Sequence, residues 1–87
     1  MMKGTTKTGF EYEFDETIFD DIEFVELLAE ADSNGMLIPK FTERMLGKEQ
    51  KKRLYDHVRD ENGRASLIRV KEEIVDMMTT EDETKNS

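Results

Sequence analysis

Apolar and polar positions alternate first with a period of two and then with a period of three to four. Phe10, Tyr12 and Phe14 are interleaved with Glu11, Glu13 and Asp15. That alternation, with Thr5, Thr6 and Thr8 before it, predicts a short strand with one buried face. Lys7-Thr8-Gly9 suits a turn, so a β-hairpin is expected over roughly residues 2–15. A lone hairpin is marginal in water and needs a cover for its aromatic face.

From Thr17 the period changes. Ile18, Ile22, Val25, Leu28 and Ala29 recur three and four apart, with Phe24 and Leu27 widening the stripe. This predicts an amphipathic helix over about residues 17–31, with Glu16, Asp20, Asp21 and Glu23 favouring its N-terminal dipole. Ser33-Asn34-Gly35 is a stop signal. Pro39 suits a first helical turn; Phe41, Met45 and Leu46 follow on one face, and Gly47 suits a C-cap. A helix over about 39–46 is therefore expected, then another over 48–59 presenting Leu54, Tyr55 and Val58. Asn62-Gly63 marks a turn and Ser66 suits an N-cap. Leu67, Val70, Ile74 and Met77 or Met78 then predict a last helix over about 66–78, with Ile68 and Val75 beside the stripe. Residues 79–87 carry no apolar side chain and are expected to form a disordered tail. The expected fold is mainly α: one domain over 1–78, a short N-terminal β-hairpin followed by about four short helices in a small bundle.

Composition narrows the function classes. The chain has 87 residues, no Cys and a net charge of −8. No disulfide framework or Cys-based zinc site is available. Apolar runs reach three residues, such as Met36–Ile38, which is too short for a membrane span. A soluble cytoplasmic acidic domain is expected. The charge is strongly divided: residues 11–32 hold ten acids and no base, whereas residues 33–59 hold seven bases and three acids. Such segments can pair within one chain or between copies, and a homo-oligomer is expected.

No pattern for catalysis or a cofactor emerges. Glu30, Asp32, Asn34 and Gly35 imitate the start of a calcium loop, but its twelfth position is Phe41 where a bidentate Glu is needed. Asp60-Glu61-Asn62-Gly63 fails the same test at Arg69 and reads as a turn. Glu23, Glu26 and Glu30 share a helix face and read as solvated. His57 is the single histidine and has no Ser or Cys nucleophile near it in sequence. The five glycines are isolated, so no phosphate-binding loop is present. Lys48–Arg53 is basic, and the two helices flanking Gly47 have helix-turn-helix spacing, yet a pI near 4.6 disfavours nucleic acid. No catalytic, cofactor-binding or metal-binding residue is assigned, and neither nucleic acid nor membrane is an expected partner.

The order of these segments resembles a known family. Asp20-Asp21-Ile22-Glu23-Phe24-Val25-Glu26-Leu27-Leu28-Ala29-Glu30-Ala31-Asp32, after a short β segment, is similar to the opening of small phage and prophage tail proteins. Leu46-Gly47-Lys48-Glu49-Gln50 resembles a second segment of that family. His57-Val58-Arg59 through Gly63-Arg64-Ala65-Ser66 resembles a third. Together, over about residues 8–78, the chain looks like a tail assembly chaperone of long-tailed bacteriophages. Ile22 stands where the family pattern has Trp, and the Ser33-Asn34-Gly35 loop also departs from it. The resemblance implies a non-catalytic protein that binds the tape measure protein and keeps it soluble during tail assembly. It also implies absence from the mature virion and, in many relatives, a longer frameshifted form. The alternative is a small acidic regulatory or DNA-mimic protein that binds a basic host protein. Apolar residues beyond the needs of one core are the expected partner contacts: Phe24, Leu27, Phe41, Met45, Met77 and Met78.

Overall fold

The computed structural model describes the backbone of residues 1–85 and the side chains through Thr79. The last helix runs on through residues 79–85, which are expected to belong to a disordered tail, and only 86 and 87 of that tail lie outside the described backbone.

The aromatic alternation forms the hairpin. Strand β1 (Met2–Thr5) pairs antiparallel with β2 (Glu11–Phe14), with Met2 opposite Phe14 and Gly4 opposite Tyr12. Tyr12 and Phe14 are buried while Glu11 and Glu13 are exposed, as period two requires. Tyr12 lies across Gly4, whose missing side chain makes room: a Cβ there would stand 2.5 Å from the tyrosine oxygen. The turn closes through Gly9 N–H donating to Thr6 C=O at 2.9 Å.

The helix expected over 17–31 divides in two. Asp15 accepts from the Thr17 N–H and hydroxyl and starts a 3-10 turn over Glu16–Asp20. Asp21 is extended, so the α-helical path restarts: its carboxylate accepts from Glu23 N–H and caps α1 (Ile22–Ser33). Asn34 caps a second 3-10 turn, Gly35–Leu37. Among the described residues there are three α-helical elements where about four helices are expected. The two expected over 39–46 and 48–59 form one element, α2 (Ile38–Val58), interrupted at Gly47 with φ 85° and ψ 164°. Only glycine readily adopts that conformation. Asp60 then organises a tight turn, accepting from Asn62 N–H at 2.8 Å and Arg64 N–H at 3.0 Å. Ser66 caps α3 (Leu67–Lys85) through Arg69 N–H.

The core lies between the hairpin and the three helices. Phe24 and Phe41 are fully buried and stacked at 4.9 Å, tying α1 to α2. Ring contacts continue outward from Phe24 through Phe19, Phe14 and Tyr12, at 5.4, 5.9 and 5.9 Å. Burial of one such side chain stabilises by about 1.5–3 kcal/mol, and favourable ring geometry adds about 0.5–1.5 kcal/mol. Leu54, Val58, Val70, Ile74 and Met77 close the α2–α3 side. Among the described residues no helix is long and apolar enough to cross a membrane.

Candidate functional site

The six residues expected to contact a partner are drawn together, but inward. Phe24, Leu27, Phe41, Met45 and Met77 are all buried core residues, and Met78 is partly buried against them. The folded chain exposes a different apolar set, which includes Ile22, Val25, Met36, Leu67, Ile68 and Val75.

Two of these positions, Ile22 and Val25, belong to the outer of two apolar stripes on α1. Phe24, Leu27 and Ala31 face the core, with Leu28 half-buried beside them. Ile22, Val25 and Ala29 point to the opposite side, where Ile22 is 69% and Val25 38% exposed. Glu23, Glu26 and Glu30 run along one margin of this outer stripe and Asp32 along the other, and all four are exposed. Of the acids at the start of α1, Asp21 is held by Arg44 at 2.7 Å, so the acidic and basic segments do meet within the chain there.

A second feature joins the hairpin turn to α2 and α3. Glu73 is 5% exposed, yet it is a carboxylate. Thr6 Oγ1 donates to its Oε1 and Thr8 Oγ1 to its Oε2, each at 2.8 Å. Phe10 N–H donates to Thr6 Oγ1 at 3.0 Å, and His57 Nε2 lies 2.9 Å from Thr8 Oγ1. The protons assign the roles. The single proton of Thr8 is given to Glu73, so Thr8 accepts from His57 and the imidazole carries hydrogen on Nε2. Phe10 packs on the His57 ring at 5.4 Å, and the Arg53 guanidinium lies 5.3 Å from the Phe10 ring centroid. These contacts latch the hairpin turn onto the helices.

In sequence Thr6 and Thr8 signal only an extended segment, and nothing there joins them to Glu73. The signal was the acid itself: Glu73 falls between Val70, Ile74 and Met77 at the three-and-four spacing of a buried stripe.

Concavities accompany these features, one of them lined by Thr8, Glu72, Glu73 and Val75. An open groove of about 790 Å³ runs between the hairpin and the Gly47 interruption, lined among others by Lys3, Tyr12, Gln50 and Arg53. Its charges are mixed, with Glu11, Glu13 and Glu49 beside Lys3, Lys48 and Arg53. A smaller depression of about 230 Å³ is lined by Ile38, Pro39, Tyr55, Ala65, Leu67 and Val70. Among the described residues no three His, Cys, Asp or Glu side chains gather into a metal-sized cluster.

Several carboxylates are held below their ordinary range. Hydrogen bonds from Thr17 lower Asp15, and backbone donors at Arg64 and Asn62 lower Asp60. The Lys51 ammonium, 2.6 Å from Glu43, lowers that carboxyl and is itself raised. Asp15 and Asp60 organise local turns, and the Glu43–Lys51 pair bridges the two halves of α2 across Gly47.

No known family model matches the chain, and no curated protein or solved structure matches it significantly.

Proposed function

We propose that this chain is a tail assembly chaperone of a long-tailed phage or prophage. It binds the tape measure protein, keeps that long helical protein soluble while the tail is built, performs no catalysis and is left out of the mature virion. The reading begins from the resemblance in residues 20–32, 46–50 and 57–66. The observation that carries it is the outer face of α1, where Ile22, Val25 and Ala29 remain uncovered although the core is complete without them. A protein that shields apolar stretches of a helical client needs such a face, together with enough charge to stay in solution. A net charge of −8 on 87 residues supplies the second requirement.

Co-expression with the tape measure protein of the same tail module tests the proposal. The expected result is a complex that co-purifies and a larger soluble fraction of the client. A client equally insoluble with and without this chain, and no co-purification, overturns it.

A further inference from the structure

We infer that the outer face of α1 docks an amphipathic helix whose apolar stripe is flanked by lysine and arginine. The inference rests on the chaperone reading and deepens it by naming the surface and the chemistry of the client segment.

Ile22, Val25 and Ala29 are spaced three and four apart and so line one side of α1, opposite the buried Phe24 and Ala31. Two helical turns, about 10 Å at 1.5 Å per residue, separate Ile22 from Ala29. That length matches a set of anchors at i, i+3 and i+7 in helix-against-helix recognition. Neither flank of the stripe is neutral. Glu23, Glu26 and Glu30 stand on one side and Asp32 on the other, and among the described residues none of the four has an ion-pair partner. Like charges three and four apart repel one another in the free chain. A partner helix with bases beside its apolar stripe relieves that repulsion while it covers Ile22 and Val25. An acid-flanked helix is repelled by the same groups. Residues 11–32 contain no base, so this chain supplies no competing cation from the same segment.

The experiment uses the full chain and two synthetic peptides of about 18 residues, five helical turns. Both carry the same leucine stripe, one flanked by lysine and the other by glutamate. Binding is followed by fluorescence anisotropy. The lysine peptide is expected to bind and to weaken at least about tenfold between about 0.05 M and 0.5 M salt; the glutamate peptide is not. Two double variants follow, with circular dichroism verifying their helices: Ile22→Ser with Val25→Ser, and Glu26→Lys with Glu30→Lys. The first is expected to lose the lysine peptide. The second is expected to lose it and to gain the glutamate peptide.

Absence of lysine-peptide binding by the natural chain overturns the inference, and so does unchanged binding by both variants. Self-association of the natural chain that vanishes in the lysine variant, without peptide binding, assigns the face to a second copy and also overturns it. Co-expression separates this surface from the chaperone reading. Equal capture of the tape measure protein by the natural chain and both variants rejects the surface and leaves the chaperone reading standing. Lysine-peptide binding without tape measure capture does the reverse.

Discussion

Gln50 occupies the free edge of β2 as a neighbouring strand would. Glu13 N–H donates to Gln50 Oε1 at 2.9 Å, and Gln50 Nε2 donates to Glu13 C=O at 2.7 Å. The second hydrogen on Nε2 goes to Leu46 C=O at 2.8 Å. That carbonyl ends the helical turn before Gly47, one of the acceptors a helix leaves unpartnered at its end. One amide thus ties the interruption of α2 to the hairpin and blocks two backbone groups on an exposed strand edge.

Replacing Gln50 tests this link. Gln50→Ala is expected to destabilise by about 1–2 kcal/mol, since water reaches the exposed backbone groups it leaves behind. Gln50→Glu is expected to be worse than alanine. A carboxylate keeps the acceptor for Glu13 N–H but directs an oxygen at two carbonyls. Urea denaturation of the three proteins gives the order, and equal stability of the alanine and natural chains rejects it.

Gly47 is the other half of the same device. With φ 85° and ψ 164° it lies where side chains are rarely tolerated, although no atom would crowd a Cβ within 4 Å. Gly47→Ala is expected to cost about 1–3 kcal/mol through backbone strain alone. A D-alanine at 47, introduced by chemical synthesis, is expected to recover most of that loss. Denaturant midpoints of the three proteins check both statements.

Phe41 meets Phe24 at the centre of the core, and Phe41→Ala is expected to destabilise by about 3–5 kcal/mol. Charging Phe24, Phe41 or Met45 therefore removes folded protein before it reports on any partner. Val25→Ser, on the exposed stripe, is expected to change stability by less than about 0.5 kcal/mol. Thermal melts of the Phe41 and Val25 variants distinguish a core residue from a surface one.

The hairpin was legible because period two is unambiguous: Phe10, Tyr12 and Phe14 are all buried. Ser66 is readable as a cap from its residue type, whereas Asp21, expected inside a helix over 17–31, caps the start of one. The inward face of α1 was harder to read. Two apolar stripes share one helix, and periodicity does not choose between Ile22-Val25-Ala29 and Phe24-Leu27-Ala31. Ring partners at Phe19 and Phe41 decide it, and those contacts are tertiary. Residues expected at a partner surface went into the core for the same reason: large apolar side chains are needed first where α1, α2 and α3 meet. The break at Gly47 is legible from the glycine itself, whereas its fastening by Gln50 to a strand distant in sequence is a tertiary contact.

Glu73 is expected to anchor the turn of the hairpin through Thr6 and Thr8. Glu73→Leu removes the acceptor of both hydroxyls and leaves Thr6 only its longer 3.2 Å contact with Thr8 Oγ1, so a loss of about 1–3 kcal/mol is expected. Glu73→Gln, which retains one acceptor, is expected to lose less. Nitrogen-15 chemical shifts of His57 supply a second readout. They are expected to show hydrogen on Nε2 in the natural chain and a mixture of tautomers in Glu73→Leu, where Thr8 no longer has to give its proton away. A dominant Nδ1-H tautomer in the natural chain contradicts the assignment.

Asp60 gives the acid limb of stability a local origin. Backbone N–H groups of Arg64 and Asn62 favour its carboxylate, so its pKa lies below the ordinary aspartate value of 3.8 in the folded chain. A carboxyl with a lowered folded value binds fewer protons folded than unfolded. Its contribution is therefore complete above 3.8 and is lost as pH falls through the lowered value. Asp15, lowered by Thr17, acts in the same direction and window. Asp60→Asn retains an acceptor for the turn but has no proton to gain. Its stability is expected to fall less steeply than that of the natural chain between about pH 4 and pH 2. Glu61→Gln, beside it and making no turn contact among the described residues, is expected to keep the natural slope. Urea midpoints measured across this range check the comparison. Parallel curves for Asp60→Asn and the natural chain place the acid sensitivity elsewhere.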